Sequence, residues 1–165
     1  MSLAMYRELL RVKRLREDTA KAELRDSEAM LRAARSAAER ADEMVESFHA
    51  ERLLKEKRLF DEIKGVAVLV RDIDDMKTKI ERLRAEEEEL RKRASKAHEQ
   101  VTEAENDVAT ARTAVKRAEQ TTQKFEEFVD IEKERVAIVQ AEREEAETEE
   151  VSEAIFAAQS RAQGR

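Results

Sequence analysis

From Ile73 to Val139 the apolar residues recur on one heptad register without a skip. With Ile73 as position a, the a series runs Ile73, Ile80, Glu87, Ala94, Val101, Val108, Val115, Thr122, Val129, Val136, and the d series runs Met76, Leu83, Leu90, Ala97, Ala104, Ala111, Ala118, Phe125, Glu132, Val139. Only Glu87, Thr122 and Glu132 break the pattern, so the stretch is a coiled-coil helix. A straight helix drifts about 20° per heptad against such a repeat, which obliges it to wrap left-handedly around a partner.

A second seam precedes it, through Leu3, Tyr6, Leu10, Lys13, Glu17, Ala20, Leu24, Ser27, Leu31, Ala34, Ala38, Ala41, Val45 and Phe48. After Phe48 the apolar positions move by one residue to Leu53, Phe60 and Ile63, which predicts a one-residue slip of the seam there. Between the two patterns lies Lys64-Gly65-Val66-Ala67-Val68-Leu69-Val70. Gly65 suits the left-handed residue that ends a helix, and Asp72, Asp74 and Asp75 suit the first turn of the next one.

The expected fold is therefore all-α: a long two-helix antiparallel coiled-coil hairpin forming a single elongated domain over residues 1–165. Helix 1 is expected at about 3–64, the turn at about 65–71, and helix 2 at about 72–155 with its C-terminal part unpaired. An antiparallel register in which facing residue numbers total 135 sets large residues against small ones, Leu24 on Ala111 and Leu31 on Ala104 among them. It also sets Lys13 on Thr122 and, less comfortably, Phe48 on Glu87 and Leu3 on Glu132. A register one heptad away, totalling 142, is the alternative. A monomeric hairpin is favoured over a parallel dimer.

Composition agrees with long helices: 44% of residues are charged, 4% aromatic, none is proline and two are glycine. The net charge of −6 disfavours a general nucleic-acid role, which needs an excess of Lys and Arg. There is no cysteine and no apolar run long enough for a membrane span, so a cytoplasmic address is expected. The Asp72-Asp74-Asp75 cluster lacks the spacing of a calcium loop, and His49 and His98 lie far apart in either register. Without a phosphate loop, a cysteine or a convergent pocket, no enzyme activity, metal or cofactor is expected.

Docking chemistry is concentrated at two places. Residues 7–16 carry five basic side chains and one acidic, and Arg7, Arg11, Arg14 and Arg16 accompany Val12 and Leu15, which lie off the seam. Exposed apolar residues ringed by arginine suit an acidic partner; a local phase shift that buries Val12 and Leu15 is the alternative. At the turn, Val66, Val68, Leu69 and Val70 either cap the seam or meet a partner. Phe125, Phe128 and Val129 are expected to clasp Tyr6, Leu9 and Leu10, and residues 141–153, with seven glutamates and one arginine, have no partner within the hairpin.

The opening Leu9-Leu10-Arg11-Val12-Lys13-Arg14-Leu15-Arg16-Glu17, the break near residues 65–72 and the closing Lys124-Phe125-Glu126-Glu127-Phe128 resemble the YscO branch of the YscO/FliJ stalk proteins of bacterial type III secretion. The resemblance spans almost the whole chain. It implies a two-helix coiled coil similar to the rotor stalk of rotary ATP synthases, whose open end enters the hexameric secretion ATPase and whose loop side faces the export gate protein. It further implies stimulation of the ATPase, binding of translocator chaperones, and a place peripheral to the inner-membrane apparatus. By position in the hairpin, the ATPase end would use Arg7, Arg11, Val12, Arg14, Leu15 and Arg16, and the gate end Val66, Val68, Leu69 and Val70. The competing expectation is a passive coiled-coil spacer or tether, which would spread its charges evenly.

Overall fold

The computed structural model describes residues 2–164. Two helices account for nearly all of them: α1, Leu3–Ile63, and α2, Val70–Gln163. Each end of each helix has a local cause. Ser2 caps α1, its Oγ accepting a hydrogen bond from the Met5 backbone N–H at 3.3 Å. At the far end Lys64 N–H still reaches Phe60 O at 3.1 Å, and Gly65 then takes φ 77°, the left-handed turn that releases the chain from the helix. Leu69 caps α2 in reverse: its N–H donates to Asp72 Oδ2 at 3.0 Å while Asp72 N–H donates to Leu69 O at 2.9 Å. Asp72 thus does the work expected of the acidic cluster, and α2 starts ahead of it. At its other end α2 remains helical past the acidic run, to Gln163.

Lys21–Thr113 form one compact unit, and the residues before and after form a second. In the first unit the antiparallel helices are joined by the turn, and Ala38, Met76, Ile80, Ala94 and Val108 are buried between them. Among the described residues no large side chain is fully buried, since two helices can enclose a seam but not a core. Along one flank runs a ladder of pairs whose residue numbers always total 140: Glu28–Arg112 at 3.8 Å, Arg35–Glu105 at 3.4 Å, Asp42–His98 at 2.8 Å and Glu56–Arg84 at 3.1 Å. With Leu3 as position a and Tyr6 as position d of α1, these are e positions of both helices. Every Cβ leans toward the N-terminus of its own helix, so long side chains on antiparallel helices meet at totals a few residues above that of the backbones. Since this leaning only raises the totals, the lowest one bounds the backbone register, and His49 Nδ1 lies 2.6 Å from Glu87 Oε1, a total of 136. A backbone register of 142 would set those two about 9 Å apart along the axis, with both side chains leaning away from each other. The register is the one totalling 135.

The slip expected after Phe48 occurs only in part: Ile63 lies in the interface, but Leu53 and Phe60 do not. Leu53 and Phe60 are 50% and 51% exposed, and the interface is made instead by Arg52, Glu56, Leu59 and Ile63. The reason lies on the opposite helix, where Glu87 occupies an a position and is buried. Seating Leu53 there would take from this buried carboxylate the guanidinium that also partners Glu56, and losing a cation from a buried pair is costly. With Arg52 inward, Glu87 and Glu56 are both partnered by its guanidinium, and Glu87 gains His49 and Arg91 besides. Burial alone would push the Glu87 carboxyl up, but the hydrogen bonds from His49, Arg91 and Arg52 more than reverse this and hold it at about 2.

In the second unit, Leu10 and Val129 are buried next to an aromatic cluster. The Tyr6 and Phe128 rings lie 6.2 Å apart and the Phe125 and Phe128 rings meet edge to face at 5.7 Å, forming the clasp the sequence suggests. Lys13 does not partner Thr122. Its Nζ sits over the Phe125 ring, 5.3 Å from the centroid, and the buried Thr122 Oγ1 has no hydrogen-bond partner. Glu132, also buried in the seam, is held by Arg135 of its own helix at 2.7 and 3.0 Å, which lowers its pKa. From Ala137 onward every described residue is exposed.

Candidate partner-docking surfaces

The terminal surface is built on the first four turns of α1. Because the seam follows Leu3, Tyr6, Leu10 and Lys13, residues at other helical phases must face outward, and Met5, Val12 and Leu15 do so. The phase shift that would have buried Val12 and Leu15 is absent: they are 38% and 57% exposed. The four arginines around them differ in availability. Arg14 Nη2 donates to Glu126 Oε1 of α2 at 2.9 Å, and Arg11 Nε donates to Glu8 Oε2 one turn back at 3.2 Å. Arg7 and Arg16 are exposed and take part in no ion pair among the described residues. The 140 ladder gives the reason for Arg7, since its counterpart position holds Lys133, a cation that instead pairs with Asp130 at 3.5 Å. The surface is thus an apolar strip flanked by two unengaged cations and two that are lightly held.

At the turn the side chains of Val66, Leu69 and Val70 are largely exposed and only Val68 is half-buried. Three of the four residues therefore do not cap the seam. A short apolar tip follows directly from the geometry of the caps, because Gly65 and Leu69 fix the entry and exit of a six-residue connection too short to fold back over the seam. The sequence reading brought these two surfaces out. It missed the buried Arg52–Glu56–Glu87 layer, whose signal was present in Glu87 at an a position opposite the stretch where the α1 pattern falters.

Fold and surfaces together define a class: an antiparallel two-helix coiled coil that presents apolar and charged faces near its termini and at its turn, with no helix among the described residues long and apolar enough to cross a membrane. Within that class the assignment is specific. Residues 6–154 match the family profile "Type III secretion protein YscO", and the chain belongs to that family. It is similar to the crystal structure of type III secretion protein YscO from Vibrio parahaemolyticus, with a TM-score of 0.86 and 25% sequence identity over 90% of this chain and 93% of that one. Comparison with the curated proteins gives no match.

Proposed function

We propose that this chain is a central stalk component of a type III secretion export apparatus. In this reading it contacts and stimulates the hexameric secretion ATPase through its terminal surface, links it to the export gate protein through Val66, Val68, Leu69 and Val70, and engages translocator chaperones. It works as a monomer in the cytoplasm, peripheral to the inner-membrane machinery. Family membership supports the setting. The observation that carries the ATPase contact is the exposed strip of Met5, Val12 and Leu15 beside the unengaged Arg7 and Arg16, which neither the seam nor the aromatic clasp requires.

Several charges focused on one partner raise both encounter rate and affinity, whereas an exposed charge contributes under about 1 kcal/mol to folding. Reversing Arg7 and Arg16 to Glu should therefore leave helicity and melting unchanged and abolish stimulation of the cognate ATPase. Stimulation by the wild-type chain should also fall steeply as salt shortens the Debye length toward a few Å. Full stimulation by the doubly reversed protein would remove the terminal surface from the contact and leave the chain a passive spacer at that end.

A further inference from the structure

The flank opposite the 140 ladder is open, and it is open for a reason. In the unit Lys21–Thr113, the e side of the helix pair is closed by cross-helix ion pairs. Where Arg52 and Glu56 turn inward to meet Glu87, α1 brings its e positions, Glu56 and Ile63, into the interface in place of its d positions, Lys55 and Glu62. Those d positions would ordinarily carry the apolar side chains that cover the other flank. Here they are exposed, and the sides of Leu59 and Leu83 are left as the floor of an inter-helix groove of about 410 Å³.

Four cations converge on this groove, Lys55 and Arg58 from α1 and Lys79 and Arg82 from α2, against two carboxylates, Glu62 and Glu86. All four cations are exposed and none is held in an ion pair among the described residues, although cross-helix pairing is the rule on the other flank. The groove spans two turns of each helix, and through Glu86 it adjoins a second groove with Met44, Phe48 and Leu90 in its walls. We infer that the groove over Leu59 and Leu83 is a docking site for an acidic amphipathic helix of a partner protein, laid along the pair as a third strand. The apolar stripe of that helix covers the leucine floor, and its flanking carboxylates meet Lys55, Arg58, Lys79 and Arg82. The same groove on a second copy is a poor occupant, since it would bring four cations against four. This surface is separate from the terminal residues and from the Val66–Val70 tip, so it stands or falls independently of the stalk reading.

The test uses the full chain and two synthetic helical peptides with leucines at i, i+3, i+4 and i+7, one flanked by glutamates and the other by lysines at the same positions. Fluorescence anisotropy should give saturable one-to-one binding of the acidic peptide, at least tenfold tighter than the lysine peptide and weakening with salt. Arg58→Glu with Arg82→Glu should cost at least tenfold in affinity, and the milder Arg58→Gln with Arg82→Gln an intermediate factor at unchanged melting. A benzophenone carried by the acidic peptide should crosslink to residues 55–62 and 79–86. Equal affinity for the two peptides, insensitivity to the charge changes, or crosslinks elsewhere would overturn the proposal. So would a concentration-dependent rise in mass that Arg58→Glu with Arg82→Glu abolishes, since the occupant would then be another copy of the chain.

Discussion

The inward turn of Arg52 in place of Leu53 gives the sharpest stability prediction, because two ways of packing the last turns of α1 assign opposite roles to Phe60. If the apolar pattern of the sequence governed, Phe60 would lie in the interface and Phe60→Ala would cost about 3 to 5 kcal/mol, as for any buried phenylalanine. In the structure the ring is 51% exposed and lies off the seam, while Ile80 on α2 is 7% exposed within it. Truncating Ile80 to alanine removes three carbons at about 0.8 kcal/mol each. The cavity left behind adds to this, for an expected loss of about 3 kcal/mol. Truncating Phe60 forfeits only partial contact, and alanine recovers about 0.5 kcal/mol of helix propensity, so a net change within about 1 kcal/mol is expected. Urea melts of the full chain followed by circular dichroism would compare the two variants at a common slope. A loss above about 2 kcal/mol for Phe60→Ala, or below about 1 kcal/mol for Ile80→Ala, would refute the charged-layer packing.

Three further outcomes follow from the seam. Thr122→Val should stabilise the chain by about 1 kcal/mol in the same melts, because it removes a buried hydroxyl that has no partner. Glu87 is held at about 2 against a reference of 4.5, and Glu56 and Glu132 are shifted the same way, chiefly by Arg84 and Arg135. Groups lowered in the folded state stabilise it above their unfolded pKa, so melting temperature should hold above pH about 5 and fall between there and pH about 2, less steeply in Glu87→Gln. Finally, cysteines replacing Leu24 and Ala111 should crosslink within one chain, whereas crosslinking of position 24 to position 118 instead would place the register a heptad away.

Much of this protein is set locally and is therefore legible in its residues. Helices need only short-range propensity, a period near 3.5 and caps, and the break is marked in the sequence because Gly65 and Asp72 act on backbone groups within a few residues of themselves. The antiparallel register is less legible: matching large against small positions favours a total of 135, but a total of 142 keeps the same a and d positions facing, and only cross-helix contacts separate the two. The terminal strip of Met5, Val12 and Leu15 could be read as exposed because a continuous seam fixes which phases face outward. What only the tertiary structure decided is the fate of residues whose preference depends on what stands opposite. Leu53 and Phe60 are the more apolar choices, yet Arg52 and Glu56 take the interface, because taking the Arg52 guanidinium from the buried Glu87 across the seam costs more than exposing two apolar side chains. That single exchange turns Lys55 and Glu62 outward and opens the groove over Leu59 and Leu83. A pattern along one helix records its own periodicity; the charge that must be neutralised belongs to the other.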